Sequence, residues 1–189
     1  PQHCSSIQHG DTEPSCPGPG SINRKQRRSV RLLSHLLGVA PPDVEAMDFA
    51  DAERLMREAK AALDEHGVVF FLRQGTCLGA VRDGALIPWD DDLDLGSIIG
   101  LHGFSEALIE PVVATLRAGG AYVEVAREAL FTSVKIFKYR IRIDWQCYRV
   151  VEGTIAHYPG VPFPVRLFEE LTPVAFIADQ YKVPSPPKD

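Results

Sequence analysis

Long hydrophobic runs are missing from this chain. No apolar stretch approaches the ~20 residues that span a bilayer, so no membrane-crossing segment is expected in it. A basic excess is missing too: the formal net charge of −5 argues against a general nucleic-acid binder, which needs clustered Lys and Arg to meet phosphates. Cysteine is scarce, and Cys4, Cys16, Cys77 and Cys147 have neither CxxC spacing nor a companion His pattern, which argues against a structural zinc site. Cys4 and Cys16 can pair in an oxidising compartment, whereas Cys77 and Cys147 read as small apolar core residues. There is no internal repeat. Pro1 opens the chain without an initiator Met or a signal-peptide pattern, so a fragment or processed piece of a longer protein is expected.

What is present suffices for one domain with a real core: 189 residues, 45% of them hydrophobic. Residues 1–29 are rich in Pro, Gly, Ser and His and lack hydrophobic periodicity, the composition of a disordered lead or linker. A short basic patch closes this segment at Arg24, Lys25, Arg27 and Arg28, with Arg31 just beyond, and a short helix is expected over 30–37, ended by Gly38. The folded domain is placed at 30–189.

Its clearest helix is 48–66. Asp48 can cap it, Phe49, Ala52, Leu55, Met56, Ala59, Ala62 and Leu63 recur at helical spacing, and Gly67 stops it. Residues 68–72 form a short apolar run read as a strand buried on both faces. A second amphipathic helix is expected over 104–117, kinked or broken at Pro111 and closed by Gly119 and Gly120. Strands are expected over 121–126 and 131–137 as an antiparallel pair, and again over 150–158 with a turn at Gly153. Over 141–148, Ile141, Ile143, Trp145 and Cys147 alternate with Arg142, Asp144, Gln146 and Tyr148, so one face is apolar and the other carries Arg142 beside Asp144.

The stretch around which the chain is organised is 73–96, RQGTCLGAVRDGALIPWDDDLDLG. It ends on Asp90, Asp91, Asp92 and Asp94 among Ile87, Pro88, Trp89, Leu93 and Leu95, a concentration of charge that is costly unless water or a cation compensates it. If 91–97 is a strand, the leucines enter a core while Asp92 and Asp94 project together from the opposite face. Two carboxylates so fixed suit a hard divalent ion such as Mg2+. A solvated acidic turn is the plainer alternative. A calcium loop of the EF-hand kind fails, because Leu95 stands where the loop needs Gly and Leu101 where it needs Glu.

Gly75-Thr76, the run Leu78-Gly79-Ala80-Val81-Arg82, and Ile87-Pro88-Trp89-Asp90-Asp91-Asp92-Leu93-Asp94-Leu95-Gly96 together resemble the signature of the LicD/fukutin family of nucleotidyltransferase-fold proteins. The resemblance implies an α/β (α+β) fold, a small mixed sheet flanked by helices. It also implies an enzyme that moves phosphocholine or ribitol phosphate from a CDP-linked donor onto a glycan hydroxyl, releasing CMP. Mg2+ or Mn2+ would be held by Asp92 and Asp94, joined by Asp144 from a neighbouring strand and by Asp90, with Asp144 aiding deprotonation of the acceptor. Gly75 would let the backbone approach a phosphate. Thr76 would cap the following helix or touch phosphate, Arg82 would offer a forked donor, and Lys135 would neutralise donor charge.

Each role has a structural alternative: a plain N-cap for Thr76, a pair with Asp83 for Arg82, a surface ion pair with Arg142 for Asp144, an exposed strand lysine for Lys135. Trp89 is read as a core anchor ahead of a platform beside the site. The resemblance spans 48–189, and the helix that usually follows the closing Val-Pro-x-Pro element of the family is absent after Val183-Pro184-Ser185-Pro186, so a truncated C-terminus is expected. Ordinary nucleotidyl transfer from an NTP and a non-catalytic scaffold are the rival functions. Family members of bacterial type would act in the cytoplasm and those of animal type in the Golgi lumen, and the sequence leaves that choice open.

Overall fold

The computed structural model describes residues 47–157 and 161–185. The lead at 1–29, the basic patch, the helix expected over 30–37, Cys4 and Cys16, and Pro186 lie outside the described residues.

The first helix, α1 (Phe49–Glu65), starts where Asp48 accepts a hydrogen bond from the Asp51 amide at 3.0 Å. Ala52, Leu55, Met56, Ala59, Ala62 and Leu63 are buried on one face, as their spacing predicts, but Phe49 in the first turn stays 39% exposed. Gly67, at φ 65°, turns the chain out of the helix. The apolar run that follows yields only the two-residue strand β1 (Phe71–Leu72); Phe70, Phe71 and Leu72 are buried whereas Val69 is partly exposed. Helix α2 (Gln74–Arg82) and strand β2 (Leu93–Ile98) come next, then a 3₁₀ turn (Glu106–Leu108) running into α3 (Ile109–Ala118). The break expected at Pro111 falls earlier. Pro111 occupies the first turn of α3, where the missing N–H costs nothing.

Strands β3 (Tyr122–Arg127), β4 (Phe131–Lys138) and β5 (Ile141–Tyr148) complete a five-stranded mixed sheet of order β1-β2-β5-β4-β3. Only β2 and β5 run parallel; the other pairs are antiparallel. Two small antiparallel sheets follow: β6 (Val150–Val151), β7 (Thr154–His157) and β8 (Val161–Pro164) in one, β9 (Leu171–Phe176) and β10 (Asp179–Pro184) in the other. The β6–β7 turn falls at Gly153, φ 72°, as expected.

The two faces of the large sheet differ in character. Leu93, Leu95, Val134, Ile136, Ile143, Trp145 and Cys147 point into one apolar cluster with the buried faces of α1 and α3. Trp145 Nε1 keeps its hydrogen bond there by donating to Ser97 Oγ at 3.0 Å. The opposite face carries the polar residues, with a second, smaller cluster of Phe71, Ile98, Tyr148, Ile155 and Phe168 at its far end.

The loop between α2 and β2 folds back onto the helix because Gly79 has no side chain. A Cβ there would stand 2.5 Å from the Ala85 carbonyl oxygen and 3.1 Å from Ile87 Cγ1. Gly79→Ala is therefore expected to destabilise the domain by about 1–3 kcal/mol, seen as a lower thermal midpoint, because backbone must move to admit the methyl. A midpoint equal to wild type would show that the loop yields freely.

A polar clamp ties α1 to the β4–β5 hairpin. Lys138 Nζ and the Tyr139 hydroxyl both donate to Glu58, at 2.6 and 2.9 Å. Burial alone would raise the Glu58 pKa, but the bonds from Lys138 and Tyr139 outweigh it and hold the carboxyl below its ordinary range. A carboxylate depressed in the folded state stabilises the fold above its unfolded pKa, and that stabilisation is lost as pH falls through the folded value. Glu58→Gln is thus expected to shrink the difference in urea midpoint between pH 7 and pH 3; an unchanged difference would remove Glu58 from the acid response.

Candidate active site

The polar face of the sheet is organised by register. Asp94 on β2 lies opposite Asp144 on β5, Asp144 lies opposite Lys135 on β4, and Lys135 lies opposite Glu124 on β3. The four residues form one row across four strands, with side chains on the same face. Asp94 and Asp144 are 4% and 1% exposed, deep for carboxylates.

Just before β2 the chain turns, the Asp90 amide donating to the Ile87 carbonyl at 3.0 Å. This turn gathers Asp90, Asp91 and Asp92, whose carboxylate oxygens lie within 4.8 Å of one another. It is the group of potential metal ligands found among the described residues, and it differs from the expected set. Asp91, given no role from sequence, is in it. Asp94 and Asp144 stand outside it, each next to an arginine.

Arg73, at the junction of β1 and α2, is buried and fully engaged. Its Nη2 donates to Asp94 Oδ1 at 2.6 Å, Nη1 to the Tyr148 hydroxyl at 2.9 Å, and Nε to the Leu95 carbonyl at 3.1 Å. Burial alone pulls the guanidinium pKa down, but Asp94, with Tyr148 and Asp144 behind it, more than offsets that and leaves it raised. Sequence reasoning gave Arg73 no role. The available signal was a lone cation between an apolar run and a Gly-Thr turn, with acids some twenty residues ahead.

Arg142 serves the other acids. Its Nη2 pairs with Asp92 Oδ2, and its Nε lies 3.3 Å from Asp144 Oδ1. Burial lowers its pKa, and Asp92, followed by Asp144, raises it by more.

Thr76 does not cap α2. The helix begins earlier, at Gln74, and the buried Thr76 hydroxyl instead accepts the Asp94 amide at 2.8 Å, fastening the helix start to the acidic strand. The Arg73 amide adds a bond to the Asp94 carbonyl at 3.1 Å. Gly75 sits in the first turn, but the left-handed backbone belongs to its neighbour Gln74, at φ 48°, a strained angle for a residue with a side chain. Arg82 lies at the far end of α2 and forks onto Asp83, through Nε at 2.9 Å and Nη2 at 2.5 Å. Lys135 is partly buried in the row described above. Trp89 is only partly buried, with its Nε1 enclosed and lacking a hydrogen-bond partner among the described residues. The acids and the start of α2 thus come together, whereas Arg82 is turned toward Asp83.

The sequence model described as the LicD/FKTN/FKRP nucleotidyltransferase domain matches residues 67–186, the span holding every acid of this site. The chain belongs to the LicD/FKTN/FKRP family. Among curated family relatives, it is 28% identical to "Ribitol 5-phosphate transferase FKRP" of Mus musculus over 137 residues, 68% of this chain and 28% of that protein. It is 30% identical to the Homo sapiens protein of the same name over 128 residues, 64% of this chain and 26% of that one. Similarity to "Ribitol-5-phosphate transferase FKTN" of Macaca fascicularis is tighter and shorter: 46% over 57 residues, 30% of this chain and 12% of that protein. The chain thus spans between 12% and 28% of the length of these relatives.

The donor set at the turn is carboxylate oxygen throughout, with no sulfur or imidazole. That chemistry fits a hard ion such as Mg2+ or Mn2+. No helix among the described residues is long and apolar enough to cross a membrane.

Proposed function

We propose that this domain moves a phospho-alcohol group, ribitol phosphate or phosphocholine, from a CDP-linked donor to a glycan hydroxyl. The observation that carries the reading is the Asp90–Asp91–Asp92 turn, tied through Arg142 to Asp144 of a row whose Asp94 is fastened to the start of α2 by Thr76. It is supported by membership of a family whose relatives carry the name ribitol-5-phosphate transferase.

Asp90 and Asp92, with Asp94 and Asp144 beside them, would hold Mg2+ or Mn2+. When bound, such an ion supplies charge neutralisation for a diphosphate and its leaving group. The acceptor hydroxyl forms the new P–O bond at the distal phosphorus, the bond to the bridging oxygen breaks, and CMP leaves with that oxygen. The hydroxyl proton passes to a carboxylate, for which Asp144 is the candidate through its place in the row. The amides opening α2 face the phosphates, with Gly75 leaving the backbone accessible. Lys135 adds positive charge next to Asp144. Arg82 contributes to phosphate binding only by exchanging Asp83 for the donor.

The reading is checked by products. Incubation with CDP-ribitol or CDP-choline, a glycan acceptor and Mg2+ should release CMP in step with glycan modification. Pyrophosphate released from CTP would point to nucleotidyl transfer, and silence with all donors would favour a non-catalytic scaffold.

A further inference from the structure

The two arginines of the site are held in different ways. Arg73 is locked by a carboxylate, a phenol and a backbone carbonyl, and its side chain is 6% exposed. Arg142 is held between two carboxylates, Asp92 in the turn that leads into β2 and Asp144 on β5, and its side chain is 24% exposed. It therefore sits at the rim, with solvent on one side into which a flexible side chain can turn. The oxygens it engages belong to acids that the proposed function assigns to a divalent ion. The Asp92 oxygen that accepts from the guanidinium has fewer lone pairs left for a metal, Asp144 Oδ1 is held by ion pairing with Nε and not by a hydrogen bond, and a fixed positive charge beside the site repels an incoming cation.

The geometry points to Arg142 as a resident, exchangeable countercation, which holds Asp92 and Asp144 in place and yields them when a divalent ion enters. The inference rests on the metal-dependent reading above and adds a residue to it. The guanidinium fork spans two carboxylates where a lysine ammonium, a point charge, reaches one at a time. Its removal therefore has opposite effects on the two forms of the protein: without metal the acids lose their partner, and with metal a competitor is gone. An arginine of purely structural use would lower stability equally in both.

The test compares the 189-residue chain with Arg142→Met and Arg142→Lys, using thermal unfolding in EDTA and in saturating Mn2+, and calorimetric titration with Mn2+. Arg142→Met is expected to melt below wild type in EDTA, to show a larger Mn2+-induced rise in melting temperature, and to bind Mn2+ at least tenfold tighter. Arg142→Lys should fall between the two, and it carries the test if the Met variant does not fold without metal. Mn2+ binding by wild type with no gain in either variant overturns the inference while leaving the metal site standing. No Mn2+ binding by a folded wild type overturns both.

Discussion

Asp92→Asn is expected to lower the proposed metal-dependent transfer by about 10²–10³-fold while the protein stays folded. The side chain contributes one oxygen to the Asp90–Asp91–Asp92 group and pairs with Arg142 at the rim of the site. On the proposed function, replacing its charge with an isosteric amide would remove a hard ligand from a place where charge is neutralised during phosphoryl transfer, and the loss of one such electrostatic contact typically costs that much in rate. The effect on stability should be small, because Arg142 keeps Asp144 and access to water. Steady-state rates with either CDP-linked donor, beside a melting curve, separate the two effects. An active Asp92→Asn variant would take this carboxylate out of the chemistry.

Asp94→Ala should act in the reverse order, on the fold first. Asp94 accepts from the buried Arg73 guanidinium at 2.6 Å, with both side chains 6% exposed. Its removal takes the adjoining carboxylate from a buried cation that also donates to the Tyr148 hydroxyl and the Leu95 carbonyl. Breaking a buried pair in this way costs about 3–5 kcal/mol, a large share of the roughly 5–15 kcal/mol that holds a domain folded. Urea denaturation should show the midpoint falling sharply, and Arg73→Met should fall comparably because it takes the cation from the carboxylate instead. The double variant Arg73→Met/Asp94→Leu, which removes both charges, should recover much of the loss. Equal stability of wild type and Asp94→Ala would mean that water reaches Arg73 freely. A loss of activity in Asp94 variants therefore reports on folding as much as on metal, which makes Asp92 the cleaner probe.

How far the sequence reaches is set by whether a signal is local. The burial of α1 and the alternation of β5 follow from periods of 3.6 and 2 within one segment, and both are found where those periods put them save for Phe49, which stays exposed in the first turn. The parity of Leu93 and Leu95 against Asp94 needed only that β2 be a strand. Contacts between distant segments were not legible. Thr76 reads as an N-cap because a Thr at a turn usually is one, but its hydroxyl is claimed by the Asp94 amide 18 positions away. Arg73 finds Tyr148 across 75 positions, a partnership that exists only because β5 lies beside β2. Register decided the site as well: nothing within 131–138 says that Lys135 faces Asp144. The acids were conspicuous as a run, but which of them share a turn depends on where β2 begins, and it begins at Leu93, leaving Asp90, Asp91 and Asp92 outside the ladder. The assignment of a donor drew on family resemblance, since clustered carboxylates support phosphate chemistry in general.

Calorimetric titration of CDP-ribitol and CDP-choline into wild type and Asp92→Asn, each with Mg2+ and with EDTA, tests the metal-dependent donor site most directly. The expected result is that wild type binds one donor in Mg2+, loses that binding in EDTA, and loses it again on substitution of Asp92. Donor binding of equal strength in EDTA, or in Asp92→Asn, would contradict a site built on these aspartates.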